Sequence, residues 1–111
     1  MKQVIAQLAP GAASLTTLYD CPVQTMAEVD SILVCNRSAV AATFRVAVSL
    51  SGAAVADAQY HYYDFPISGN DTFLAAIGIT LRPGDILRVY ASTANLSFNA
   101  HGDVIYPVPL R

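Results

Sequence analysis

Residues 71–101 read DTFLAAIGITLRPGDILRVYASTANLSFNAH, and the alternation inside this run decides the fold class. Phe73, Ala75, Ile77, Ile79 and Leu81 fall on one side of an extended chain, and Thr72, Leu74, Ala76, Gly78 and Thr80 on the other. A period of two with one apolar side marks a strand that buries one face. Arg82-Pro83-Gly84-Asp85 interrupts it: proline presets φ for a turn and glycine accepts the positive φ that a side chain resists. The alternation resumes with Leu87, Val89 and Ala91 against Ile86, Arg88, Tyr90 and Ser92. After Thr93-Ala94-Asn95 it returns as Leu96, Phe98 and Ala100 against Ser97, Asn99 and His101. The run therefore predicts three strands joined by two tight connections.

The same reading extends to both sides. Residues 2–9 form a short first strand or arm with Val4, Ala6 and Leu8 together, closed by Pro10-Gly11. Leu15, Thr17, Tyr19 and Cys21 share a face of the next strand, which Pro22 stops. Residues 26–36 follow, and Ile32-Leu33-Val34-Cys35 is apolar on both faces, as suits a central or interface strand. Asn36-Arg37-Ser38 is a turn. Phe44, Val46, Val48 and Leu50 point in while Thr43, Arg45 and Ser49 point out. A loop of small residues, 52–57, leads to QYHYYDFPI at 59–67, where Tyr60 and Tyr62 share one face and His61, Tyr63 and Phe65 the other. The last segment, 104–111, carries Pro107 and Pro109; alternate prolines forbid a paired central strand, so an extended tail is expected there. About eight short strands at regular spacing, with no helical periodicity, predict an all-β chain: a single antiparallel β-sandwich, jelly-roll-like, filling residues 1–111 as one domain.

Bulk composition narrows the function. The 111 residues suffice for one modest core, burying roughly 65% of the unfolded surface. Charged residues make up 13% of the chain and hydrophobic ones 54%, whereas about 25% charged is usual. A solitary domain so short of charge has little material for a solvated skin, so part of the apolar surface is expected against other subunits. The net charge of −2 and the lack of a basic cluster argue against nucleic acid as a partner. No run approaches ~18 apolar residues, so a membrane helix is not expected, and residues 1–7 lack the apolar centre of a secretory signal. Synthesis in the cytoplasm is the expectation. Cys21 and Cys35, placed on a hairpin, would stand roughly 20 Å apart at ~3.3 Å per residue, beyond the ~7 Å reach of a disulfide; two free, mostly buried thiols are expected.

No residue set supports catalysis. His61 and His101 have no third ligand at metal spacing and read as packed or surface imidazoles. Glu28 and Asp30 share a strand face, the arrangement of a solvated edge rather than a cation site. Asp71 and Asp85 each precede a strand, where a carboxylate accepts backbone N–H groups. There is no nucleophile elbow and no phosphate loop, so neither enzymatic activity nor a cofactor is expected. The tyrosines are the ambiguous feature: Tyr60, Tyr62 and Tyr63 suit core or subunit packing, and also suit stacking on a sugar.

Several blocks occur in a set order: Leu18-Tyr19 with Pro22, Ile32-Leu33-Val34-Cys35-Asn36-Arg37-Ser38, Thr43-Phe44-Arg45-Val46-Ala47-Val48, Tyr62-Tyr63-Asp64-Phe65-Pro66-Ile67, Asn70-Asp71-Thr72-Phe73, Gly78-Ile79-Thr80-Leu81 and Val89-Tyr90-Ala91-Ser92-Thr93-Ala94-Asn95-Leu96-Ser97-Phe98-Asn99. Together, over about residues 15 to 102, they resemble a family of short virion structural proteins of tailed bacteriophages, cyanophages among them. The resemblance implies a β-sandwich that assembles as a homotrimer on the particle and binds other virion proteins. Its expected role is decoration or cement on the capsid, or an accessory of the neck, collar or tail. The alternative is a receptor- or glycan-binding module at a tail or fibre tip. The interface candidates are Tyr60, Tyr62, Tyr63, Ile105, Tyr106, Val108 and Leu110, with residues 104–111 as a docking strap.

Overall fold

The alternating segments pair into two antiparallel sheets, seen in a computed structural model that describes residues 2–107. The strands are β1 (Lys2–Leu8), β2 (Thr16–Asp20), β3 (Met26–Asn36), β4 (Ala42–Ser49), β5 (Tyr60–Ile67), β6 (Thr72–Ala75), β7 (Ile79–Leu81), β8 (Ile86–Ala91) and β9 (Leu96–Ile105). One sheet runs β1-β9-β3-β6, with β7 continuing the β6 edge along β3; the other runs β2-β8-β4-β5. Apart from β4–β5 and β6–β7, each connection crosses from one sheet to the other, which makes the double-sheet jelly roll. Two one-turn 3-10 segments, Leu50–Gly52 and Asp57–Gln59, are the only helical pieces among the described residues.

The inward faces make one core. Phe44, Phe98, Ile32, Leu81, Leu87, Leu96, Val46 and Val89 are fully buried between the sheets. Phe44 is its aromatic centre, with ring centroids 5.6 Å from Phe65, 5.7 Å from Phe73, 5.9 Å from Tyr62 and 6.2 Å from Phe98. Each tilted or edge-on aromatic pair of this kind adds about 0.5–1.5 kcal/mol beyond its area. Polar turns close the ends. Asn36, 1% exposed, donates from Nδ2 to the Val40 and Ser68 carbonyls and accepts the Ser38 N–H at Oδ1, so its buried amide ties two loops. Asp85 accepts the backbone N–H groups of Ser51 and Arg82, each at 2.9 Å, and Asp71 accepts that of Thr72 at 2.8 Å, as expected of carboxylates at strand entries. The Arg82–Asp85 turn closes with an N–H···O bond of 3.0 Å, Gly84 taking φ +88°.

Bulges account for most departures from the simple alternation. The strand expected over residues 72–81 is two: Ala75 pairs with Ile32 and Ile79 with Val29, four steps against three, and the surplus breaks the edge at 76–78. That break makes nine strands rather than eight; the faces are nonetheless as expected, with Ala75, Ile79 and Leu81 in and Leu74 out. A bulge between Val4 and Ala6 leaves Val4 48% exposed while Ile5, Ala6 and Leu8 pack on the core. A bulge between Thr17 and Tyr19 turns Leu18, not Leu15 or Thr17, into the core. Glu28 and Asp30 do face out, but a bulge at Asp30 separates them, and the Lys2 ammonium pairs with Asp30 and Asp103. Cys21 and Cys35 are free; Cys35 is only half-buried because it lies on the outer side of β3.

The C-terminal expectation also needs correcting. Strand β9 does not stop at His101: it continues through Gly102 and Asp103, with Val104 opposite Ala27 and Ile105 opposite Met26. Gly102 is no turn. A Cβ there would lie 1.9 Å from the Glu28 carbonyl oxygen, so the glycine lets two backbones approach beside the β3 bulge. The paired chain ends just before Tyr106; residues 108–111 of the expected tail, Val108 and Leu110 included, lie outside the described residues.

Candidate functional site

The exposed chemistry gathers on the outer face of the four-stranded sheet, at its β5 edge. Strand β5 carries two bulges against β4. Phe44 pairs with Phe65, Val46 with Tyr62 and Ala47 with Tyr60, so one surplus residue falls at Tyr63-Asp64 and another at His61. Asp64 absorbs the first with φ +47°. The bulges overturn the expected faces. Tyr62 turns inward with Phe65 and Phe73, at 5.3 and 5.7 Å between ring centroids. Tyr60 turns outward with Tyr63, their rings 4.9 Å apart and near perpendicular at 84°.

Arg45 organises this surface. It stands between inward-facing Phe44 and Val46 and opposite Tyr90 of β8, so it points out. Its guanidinium carbon is 4.2 Å from the centroids of both Tyr63 and Tyr90. Its Nε donates to Asp64 Oδ1 at 2.7 Å and a terminal nitrogen donates to Oδ2 at 3.4 Å. The Asp64 carboxylate holds the guanidinium even more firmly protonated than usual. A cation held between two rings and clamped by a carboxylate fixes the Tyr63 ring while leaving it 59% exposed. Beyond Tyr63 an open cleft of about 460 Å³ is lined by Asp57, Tyr60 and Tyr63. Asp57 begins the 3-10 turn that leads into β5, and its carboxylate makes no hydrogen bond or ion pair among the described residues. The cleft therefore offers aromatic surface and a carboxylate that accepts hydrogen bonds.

The expected interface residues are thus divided. Tyr60 and Tyr63 come together; Tyr62 belongs to the aromatic cluster of the core. Ile105 is half-buried at the paired end of β9, and Tyr106 is 69% exposed just beyond it. Asp57 and Tyr90 had no signal in the sequence as members of a site; for Arg45 the only signal was a charge facing out of an otherwise apolar strand. His61 is exposed, its Nδ1 3.2 Å from the Gln59 carbonyl, and His101 is half-buried between Val4 and Ser31. Among the described residues no three of His, Cys, Asp and Glu gather in a way that would hold a metal ion. No helix among them is long and apolar enough to cross a membrane. Comparison with protein-family models, with curated proteins and with solved structures returns no match.

The other large surface is the outer face of the five-stranded sheet. Its middle rows place Leu74, Leu33, Asn99 and Gln7 side by side, then Thr72, Cys35 and Ser97, then Ser31, His101 and Val4. None of these is Asp, Glu, Lys or Arg. Leu74 is 55% exposed, and the charges Lys2, Glu28, Asp30 and Asp103 all stand at one end.

Proposed function

We propose that this protein is a non-enzymatic structural component of a tailed-phage virion: a small jelly roll that assembles as a trimer and decorates or braces the particle, on the capsid or at the neck or tail. The observation that carries this is the uncharged middle of the five-stranded sheet's outer face, with Leu74 and Val4 exposed on it. A flat β face without formal charge costs little to desolvate, and a second copy is the occupant that cyclic symmetry supplies. The order of sequence blocks supports the viral setting, and the double-sheet jelly roll is an architecture found in viral capsid and lectin domains, although a fold alone does not assign a function. Tyr106, beyond the paired end of β9, supplies a second apolar contact for a neighbouring virion protein.

Sedimentation of the purified chain is the first test. A trimer at micromolar concentration, reduced to monomer by Leu74→Lys with the fold intact by circular dichroism, is the expected result. A wild-type chain that stays monomeric under those conditions overturns the assembly, and a particle reconstruction without density for the subunit overturns the virion role.

A further inference from the structure

We propose that the cleft formed by Asp57, Tyr60 and Tyr63 binds a neutral sugar, one pyranose ring stacked on Tyr63 with its hydroxyls turned to Asp57. The volume, about 460 Å³, lies within the roughly 300–1,000 Å³ of small-molecule sites. Tyr63 presents a large exposed ring that needs little ordering on binding, because Arg45 and Asp64 already hold it. A pyranose has an apolar face of C–H groups that suits an aromatic ring and an equatorial rim of hydroxyls that donate to a carboxylate. Tyr60 meets Tyr63 at 84°, so the second ring forms a wall rather than a continuation of the platform.

The electrostatics select among ligand classes. An anion would face Asp57 and, one residue past the platform, Asp64. A cation would be drawn to Asp57, but Arg45 already lies over one face of Tyr63 at 4.2 Å, and its charge opposes a second cation on the opposite face of the same ring. A neutral polyol meets neither objection. The cleft is on the outer face of the four-stranded sheet, whereas the uncharged face assigned to assembly belongs to the five-stranded sheet. One side docks and the opposite side remains open to ligand, so either reading can fail without the other.

The test is titration of the intact, isotope-labelled chain with methyl glycosides of glucose, galactose and mannose, followed by amide shifts and tyrosine fluorescence, with tetramethylammonium as the cationic comparison. Saturable shifts centred on residues 57–64 at millimolar glycoside are expected. Tyr63→Ala should weaken them by about tenfold or more, and Asp57→Asn should weaken them while leaving the fold unchanged. Three results overturn the proposal: no saturable shift with any of the three glycosides up to about 50 mM, equal binding by Tyr63→Ala, or tighter binding of tetramethylammonium than of every glycoside.

Discussion

Cys21 is 1% exposed, with its Sγ 3.2 Å from the Thr25 carbonyl oxygen and 3.7 Å from that of Leu81. Burial, with the charge of Asp85 adding to it, raises this thiol above its ordinary value of 9.0. Burial likewise raises the Tyr19 phenol above 10.0. Both groups are neutral when protonated, so the folded state holds their protons to higher pH than the unfolded state does. Their contribution to stability is complete below about pH 9 and is lost as pH climbs through the raised values. Urea midpoints measured from pH 8 to 10.5 should therefore fall on the alkaline side, and Cys21→Ala should flatten part of that fall, the Tyr19 share remaining. A native thiol assay on the dissociated Leu74→Lys chain should likewise find one reactive cysteine, the half-exposed Cys35, which association through that face would cover, with Cys21 appearing only after unfolding. An alkaline slope that Cys21→Ala leaves unchanged would mean that the thiol plays no part. The strand-entry roles of Asp71 and Asp85 were legible from sequence because a carboxylate before a strand has few other partners within reach.

At the scale of elements, every sheet edge is marked. Strands β1 and β2 each carry a bulge, β5 carries two bulges and Pro66, and β6 and β7 are one edge cut at 76–78. Broken edges discourage strand-on-strand pairing between molecules, which leaves the faces as the surfaces for the proposed association. The glycines of this sheet supply a direct check. Gly102→Ala drives a methyl group into the Glu28 carbonyl and should lower stability by about 3 kcal/mol or more, since neither backbone can yield without breaking the ladder. Gly78→Ala, at the broken edge, meets nothing within 4 Å and should be neutral or raise stability by about 0.4–1 kcal/mol through the unfolded chain. Denaturant unfolding of the two variants decides it; equal effects would mean that the β3–β9 approach is not as tight as described. These strands were foreseen wherever alternation ran unbroken, as at residues 43–48 and 96–100; past Val48 the expected faces invert, Ser49 being buried and Leu50 65% exposed where β4 gives way to the 3-10 turn. The faces of β1, β2 and β5 were not, because a bulge needs only one surplus residue opposite a partner, and the partner strand lies far off in sequence.

For the whole molecule, the exposed area of 5887 Å² is close to the roughly 5,900 Å² expected of a compact chain of this mass. The sandwich closes on itself, so any need for sister copies arises from what its surface is made of rather than from an unfinished core. If association uses the uncharged face, raising salt from about 0.05 to 0.5 M should leave the trimer's dissociation constant unchanged or lower it, because no charge pair there is open to screening. A steep loss with salt, read by sedimentation, would transfer the contact to the charged end around Lys2, Asp30 and Asp103.

By itself the sequence determined an all-β chain, many of its core residues, most of its turns and its poverty of charge, because these depend on local period and on composition. Only the tertiary structure decided which strands neighbour one another in the two sheets, that β9 runs on to Ile105, and that Tyr60 joins Tyr63 beside Asp57 while Tyr62 enters the core. Those outcomes depend on register between strands distant in the chain, and a single bulged residue reverses every side chain that follows it.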